Sequence, residues 1–452
     1  MKIIIVGDGK LGSTLTEHLS AEGHDITIID HQSSVLNQSV NMHDVIGIQG
    51  NGASYDIQVE ADVPHSDLLI AATSSDELNI LCCIMAKRLG AKNTIARVRN
   101  PEYSKQLHMM REELGLSMVV NPEREAAREI ARNLRFPSAI HVDLFARGRV
   151  ELVELRITKD SPIANKTLSQ IGNLYKEKFL VCVVNREDEV YIPTGNFVLH
   201  EGDRIHVTAS STDMASLFMS LGIAHQKIHK VMVVGGSRIT VYLAQQLLEM
   251  GMEVTILEKE ESRCRTLCEY LPKATIIHGD GTDRELLEEE SIQDVDAFVA
   301  LTGLDEQNII VSMYAASCGV QKVLTKIDHI LFPEVFRNAG IESVVSPIRS
   351  TANKIIRFVR AMQNSLGSSS IETLHKLIGN RVEALEFTVR QKAPYVGVPL
   401  RKLETKENTL IAHILRGGMV IIPGGNDIIK LGDRVIVVAK SGIIRDLRDI
   451  LK

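Results

Sequence analysis

Lys2-Ile3-Ile4-Ile5-Val6-Gly7-Asp8-Gly9-Lys10-Leu11-Gly12 stands at the head of the chain, and its reading decides the fold. An apolar run closes at Val6, and a complete Gly-x-Gly-x-x-Gly follows at Gly7, Gly9 and Gly12. That spacing alone is a weak signal; its surroundings strengthen it. The run has the length of a buried strand, Ser13 to Ser20 suit a helix, and an acid, Asp30, ends the next apolar stretch about 20 residues on. Each residue type then has a physical reason. Gly7 permits a tight turn, Gly9 lets a pyrophosphate approach the backbone, and Gly12 allows the helix to pack closely. The unpaired N–H groups at the helix N-terminus favour an anion there. Asp30 is placed to accept hydrogen bonds from ribose hydroxyls and to repel a 2′-phosphate, which favours NAD or an adenine nucleotide over NADP. The plain alternative is that these glycines only shape a turn in an empty fold.

Working outward, the same landmarks return in order in the second half, the mark of a long internal repeat. Val6-Gly7-Asp8 corresponds to Val234-Gly235-Gly236, Ile28-Ile29-Asp30 to Ile256-Leu257-Glu258, and Gln49-Gly50-Asn51-Gly52 to His278-Gly279-Asp280-Gly281. Thr73-Ser74-Ser75-Asp76-Glu77-Leu78-Asn79 is echoed by Thr302-Gly303-Leu304-Asp305-Glu306-Gln307-Asn308. The second turn, Gly235-Gly236-Ser237-Arg238-Ile239-Thr240, carries Ser237 and Thr240 where the second and third glycines belong. Arg238 takes the place of Lys10 and Glu258 that of Asp30, so a nucleotide is expected in the first half while the second is left open.

Farther along, Glu123 to Leu134 and Arg349 to Met362 suit helices, and His200-Glu201-Gly202-Asp203-Arg204 resembles Lys430-Leu431-Gly432-Asp433-Arg434. Each half therefore has two parts. The first alternates strands and helices, the pattern of a parallel doubly wound sheet; the second is a small mixed module. The expected class is α/β: tandem Rossmann-like sheets, each followed by a small α+β module, divided as 1–136, 137–224, 228–363 and 370–452. Phe136-Pro137-Ser138, His225-Gln226-Lys227 and the Ser/Gly stretch from Ser365 to Ser370 read as linkers.

Composition bounds the function. The 452 residues exceed what one core can organise, at a prior of about 150 residues per domain. A net charge of -6 with dispersed Lys and Arg disfavours nucleic acid. No stretch reaches the roughly 18 apolar residues of a transmembrane helix, and no signal peptide is expected at the N-terminus. The six cysteines, Cys82, Cys83, Cys182, Cys264, Cys268 and Cys318, form no C-x-x-C pair and are expected to be reduced, buried and inert, with no metal site.

At this point the residues carry a family pattern. Gly7 to Gly12 with Asp30, Gln49-Gly50-Asn51, Thr73 to Glu77, Ile95-Ala96-Arg97-Val98, their echoes and the two Gly-Asp-Arg turns make the chain resemble, over essentially its whole length, the RCK (KTN) regulatory subunits of the TrkA type. The duplicated order of large and small parts is the specific feature. The resemblance implies that NAD(H), and also ATP or ADP, binds with Gly7, Asp8, Gly9, Lys10, Leu11 and Gly12 at the phosphates and Asp30 at the ribose. Thr73, Ser74 and Arg97 match further contact positions, and Asn51 departs from the Asp or His common there. Gly235, Gly236, Ser237, Arg238, Ile239, Glu258, Asp280 and Thr302 are the second-half counterparts. It further implies a homo-oligomeric ring, a tetramer, that is cytoplasmic and peripheral on the inner face of the membrane. The implied partner is an integral membrane Trk-type potassium transporter subunit, and no catalytic residue is expected.

Two rivals remain: an NAD-dependent dehydrogenase, and a nucleotide-sensing regulator of another cation carrier. Against the first, the sequence shows no evident His–Asp/Glu or Lys–Tyr arrangement for proton transfer, and His141, His200 and His206 read as scattered strand residues.

Overall fold

The computed structural model describes residues 1–187, 189–221, 227–328, 341–363, 369–440 and 444–452. The chain divides into two units: Met1–Arg128 with Ser346–Ile356, and Glu129–Val345 with Arg357–Lys452.

The first unit is built on six parallel strands: β1 (Lys2–Val6), β2 (Asp25–Asp30), β3 (Ile46–Gln49), β4 (Leu68–Ala71), β5 (Asn93–Arg97) and β6 (Met118–Val120). They lie in the order β3-β2-β1-β4-β5-β6. Between them run α1 (Lys10–Ala21), α2 (Ser33–Met42), α3 (Tyr55–Glu60), α4 (Asp76–Leu89) and α5 (Pro101–Met110), and α6 (Pro122–Leu134) follows. Central strands covered on both faces need side chains that are apolar on both, which is why Ile3, Ile4 and Ile5 in succession are fully buried. One layer of the core sets Ile4, Leu69 and Ala71 against Cys82, Cys83 and Ala86 of α4. The order reverses between β1 and β4, and ligands of open α/β sheets lie beyond the strand ends at such a switch point.

The second unit repeats that sheet and adds two small modules. Strands β12 (Lys230–Val234), β13 (Glu253–Glu258), β14 (Thr275–His278), β15 (Ala297–Ala300), β16 (Lys322–Lys326) and β17 (Ser343–Val345) lie in the order β14-β13-β12-β15-β16-β17. Helices α9 (Arg238–Glu249), α10 (Glu261–Tyr270), α11 (Arg284–Glu289) and α12 (Asp305–Ser317) intervene, and α13 (Pro347–Gln363) follows β17. The first small module, β7 (His141–Phe145), β8 (Val150–Arg156), α7 (Leu168–Leu174), β9 (Phe179–Arg186), β10 (Glu189–Tyr191), β11 (Arg204–Ser210) and α8 (Ser211–Ser220), is a sheet in the order β10-β9-β11-β8-β7. The second, β18 (Ser369–Leu377), β19 (Val382–Val389), β20 (Thr409–Arg416), β21 (Met419–Ile421) and β22 (Arg434–Ala439), has the order β18-β19-β22-β20-β21. β7 matches β18, β8 matches β19, and β11 matches β22.

Pairing in these small sheets is antiparallel, and the two modules share one core. Phe145, Leu152 and Val183 of one pack with Leu377, Ala384 and Val438 of the other. Their Gly-Asp-Arg turns are pinned alike. Asp203 accepts two bonds from the Arg186 guanidinium, both at 2.7 Å, and one from the His200 N–H, while Asp433 accepts the same set from Arg416 and Lys430. A bidentate guanidinium bond with both groups held in place fixes the turn geometry.

Several expectations need correction. His141 lies on β7 and His206 on β11, but His200 lies in the turn before β11. In the joint between the small modules, away from the parallel-sheet crevices, Asp143 of β7 takes His141 Nε2 at 3.2 Å and His375 Nδ1 of β18 at 2.8 Å. Asp143 and His375 stand 232 residues apart in sequence, so no local pattern announces their contact. The cysteines are not all buried, since Cys268 is exposed and Cys318 half-buried; all six are free. Of the linkers, Phe136 packs its ring 6.1 Å from Phe218, because an aromatic after α6 is drawn into the adjoining core. Ser369 and Ser370 are buried at the start of β18, where Ser369 Oγ accepts the Leu447 N–H. His225 and Gln226, and residues 365–368, lie outside the described residues.

Candidate functional site

At the carboxyl edge of the first parallel sheet, Gly7 turns with φ +93°, and a Cβ there would come within 2.8 Å of the Thr73 nitrogen. A Cβ on Gly12 would lie 2.0 Å from the Gly7 carbonyl oxygen, so this helix packs against the turn only with glycine at that position. Gly9 differs: a Cβ there meets nothing within 4 Å, which leaves open space over the first turn of α1. Gly9 is the N-cap residue of α1, and having no side chain it contributes no side-chain cap to the helix. Uncapped N–H groups beside open volume form a cradle for an anion, with the helix dipole adding to it. Leu11 is buried and offers only its backbone, while Lys10 is exposed on the first helical turn.

Asp30 closes β2 beside this loop. Its Oδ2 accepts the Asp8 N–H at 2.7 Å and its Oδ1 the Gln32 N–H at 2.9 Å, so the carboxylate is held in one orientation. Each carboxylate oxygen has a second lone pair, which leaves capacity for a hydroxyl pair. Asp8 itself is only 2% exposed. Its backbone N–H goes to Asp30, and burial, with the nearby Asp30 charge, pushes its carboxyl above the ordinary value. The side chain of Asp8 thus faces the interior rather than the anion cradle.

Thr73 and Ser74 follow β4. Thr73 donates through both its N–H and its hydroxyl to Asn79 Oδ1, at 2.8 and 2.7 Å. Asn79 Nδ2 reaches the Arg97 carbonyl at 2.9 Å, so one buried amide ties the ends of β4 and β5 together. Ser75 caps α4 through the Leu78 N–H. Arg97 Nη1 approaches the Ala72 carbonyl at 3.4 Å, and Arg99, which sequence reading passed over, donates to the Ser74 carbonyl at 2.6 Å. Asn51 spends its Oδ1 on the Ala53 N–H, shaping the turn after β3. Gly52 in that turn lies against Val6, where a Cβ would be 2.1 Å from its Cγ1. The first-half residues singled out from sequence are therefore gathered at one strand edge.

The second half repeats the frame. Gly235 has φ +98°, Glu258 Oε2 accepts the Gly236 N–H at 2.6 Å, and Glu258 Oε1 accepts the Glu260 N–H at 2.8 Å. Thr302 donates its N–H to Asn308 Oδ1 at 2.8 Å, and Asn308 Nδ2 reaches the Lys326 carbonyl at 3.1 Å. Asp280 accepts from the N–H and hydroxyl of Thr282, which hold its carboxyl below the ordinary value. Arg238 is exposed on the first turn of α9 and Ile239 is buried. The asparagine clamp was visible in the sequence as the recurrence of Asn79 at Asn308, six residues after each threonine, although spacing alone did not reveal its purpose.

Comparison with known proteins fits this frame. The TrkA-N domain model matches residues 3–122 and 231–347, and the TrkA-C domain model matches 152–222 and 384–452. A Trk system potassium uptake protein TrkA homolog 1 of Methanosarcina mazei is 32% identical over 460 aligned positions, covering 100% of both chains. Among solved structures, the GsuK RCK domain superposes with a TM-score of 0.63 at 18% identity, covering 97% of this chain and 92% of that one. The GsuK channel bound to NAD gives 0.64 at 18% identity, covering 97% and 77%. At that identity the two structures attest the fold, whereas the double match of both domain models and the full-length relative reach further: the chain belongs to the TrkA family of Trk system potassium uptake proteins.

Proposed function

We propose that this chain is a nucleotide-binding regulatory subunit of potassium uptake, acting on an integral membrane Trk-type transporter subunit. NAD(H), or an adenine nucleotide such as ATP or ADP, occupies the crevice of the first half. Its pyrophosphate lies on the Gly9 N-terminus of α1 and its ribose on Asp30, with Lys10, Thr73, Ser74 and Arg97 at its margin. The observation that carries this reading is the uncapped helix over the open Gly9 position, next to a carboxylate already oriented by two N–H groups. The names of the full-length relatives and the NAD-bound GsuK channel support the potassium and nucleotide halves of it.

Regulation needs no chemistry at this site. A ligand shifts an assembly between conformations only through differential affinity for them, so bound nucleotide favours one arrangement of a ring of copies, a tetramer. Self-association is supported by apolar side chains left exposed at matching places of the repeat, Leu81 on α4 at 48% and Ile310 on α12 at 66%. Among the described residues no helix is long and apolar enough to cross a membrane. The ring docks on the cytoplasmic side of the membrane partner. The division into parts 1–136, 137–224, 228–363 and 370–452 is supported by the domain matches, each nested within one part.

Co-purification with a candidate Trk membrane subunit, followed by potassium flux with NADH, NAD, ATP and ADP added in turn, tests the proposal. A complex whose flux changes with at least one nucleotide is expected. A chain that co-purifies with no such subunit, or leaves flux untouched, removes it.

A further inference from the structure

The two parallel sheets end in one geometry, yet the loops beyond them differ in chemistry. Where Gly9 leaves open volume, the second half has Ser237. Its Oγ accepts the Thr240 N–H at 3.4 Å and lies 3.2 Å from Thr240 Oγ1, so α9 is capped where α1 is bare. Thr240 is fully buried and donates its hydroxyl to the Gly235 carbonyl, filling the place where Gly12 lets helix and turn touch. One of the helix N–H donors that a pyrophosphate would use is thus taken by the protein's own side chain, and side chains stand at both positions that are glycine in the first turn.

A second difference is electrostatic. At the end of β5 the first half carries Arg97 and Arg99; the corresponding positions at the end of β16 are Lys326 and Asp328. Lys326 Nζ lies 3.5 Å from Asp305 and 3.3 Å from Asp328, so its charge is met by two carboxylates of the protein. Arg99 itself lies 3.9 Å from Asp76 and from Glu123, but an aspartate in its place makes the second crevice a poorer host for the more highly charged ADP and ATP.

What the second half keeps points to a smaller ligand. Glu258 is oriented by the Gly236 and Glu260 N–H groups just as Asp30 is by those of Asp8 and Gln32. Arg238, exposed on the first turn of α9, can meet one phosphate. A retained ribose acid, one exposed cation and a closed pyrophosphate cradle describe a ligand with one ribose and one phosphate. We propose that the second crevice takes a nucleoside 5′-monophosphate, its ribose on Glu258 and its phosphate facing Arg238, and rejects the pyrophosphate-bearing nucleotides of the first. The contrast between halves rests on the reading given under the proposed function; the ligand class of the second crevice does not.

Calorimetric titration of the full-length chain with NADH and with AMP tests this, with circular dichroism reporting the fold of each variant. NADH should bind at one site per chain, weakened at least tenfold by Asp30→Asn and untouched by Glu258→Gln. AMP, titrated with excess NADH present, should bind at one further site that Glu258→Gln weakens at least tenfold. Giving the second turn the glycines of the first, in the double variant Ser237→Gly with Thr240→Gly, should raise NADH stoichiometry from one to two. Two NADH sites in the unmodified chain, AMP binding indifferent to Glu258→Gln, or a double variant that stays at one site would each overturn the proposal. No heat with NADH in any variant, alongside AMP binding that still depends on Glu258, would instead sink the first-crevice reading and leave this one standing.

Discussion

A Cβ at Gly12 would sit 2.0 Å from the Gly7 carbonyl oxygen, whereas one at Gly9 meets no heavy atom within 4 Å. Alanine should therefore separate the two tasks of the turn. Gly12→Ala must push helix from strand, and overpacking of that kind costs about 1–3 kcal/mol, to be read as a lowered denaturation midpoint of the full chain. Gly9→Ala should leave that midpoint unchanged and weaken NADH by roughly tenfold, about 1.4 kcal/mol, because the methyl stands where the pyrophosphate approaches. A Gly9→Ala chain that binds NADH normally would move the ligand away from this turn. Asp30 asks for a gentler change. Since its carboxylate satisfies the N–H groups of both Asp8 and Gln32, Asp30→Ala leaves two donors unpaired and mixes a fold defect into the result, while Asp30→Asn keeps an acceptor.

Among the elements, the joint between the small modules responds to pH. On His141, burial alone would lower the pKa, but the charges of Asp143, Glu129 and Glu154 and the hydrogen bond to Asp143 outweigh it and raise it to about 9. On Asp143, burial favours the neutral acid, yet His375 and His141 hold its carboxyl well below the ordinary value. A histidine with a raised folded pKa gives stability that is complete below its unfolded value of 6.5 and is lost as pH climbs through about 9; the depressed aspartate gives stability present above its unfolded 3.8 and lost on acidification below it. Denaturation midpoints of the full chain should fall between pH 7 and 8, below the range where Lys322, its pKa lowered to about 8 by burial, contributes a slope of opposite sign, and His141→Gln should flatten that fall. A wild-type midpoint that is level across the window would contradict the assignment.

At this same scale the limits of sequence reading are plain. Strands such as Lys2–Val6 and their echoes were legible because burial on both faces demands unbroken apolar runs, and the repeat supplied each half with a control. Asp143 with His375 was hidden because its partners come from different modules and share no periodicity. Ser237 and Thr240 were visible as departures from glycine, but whether they emptied or sealed the turn depended on where their hydroxyls point. Asn79 was read as part of a motif and found to be a clamp across two strand ends.

For the molecule as a whole, the ligands proposed for the two crevices would give an assembly of copies two kinds of input rather than one input doubled. Ring formation should depend on the exposed apolar positions of α4 and α12. Leu81→Asp combined with Ile310→Asp is expected to shift the mass measured by light scattering toward the single chain without altering the helical signal; an unchanged mass would place the assembly surface elsewhere. Occupancy of the first glycine-rich turn is, on the proposed function, what the transporter senses. Potassium flux through a Trk membrane subunit reconstituted with this chain, measured across an NADH titration, tests it most directly when run beside the Gly9→Ala chain. Flux should change with NADH for the unmodified chain and stay level for Gly9→Ala; the same NADH response from both, or from neither, would show that the transporter does not read this turn.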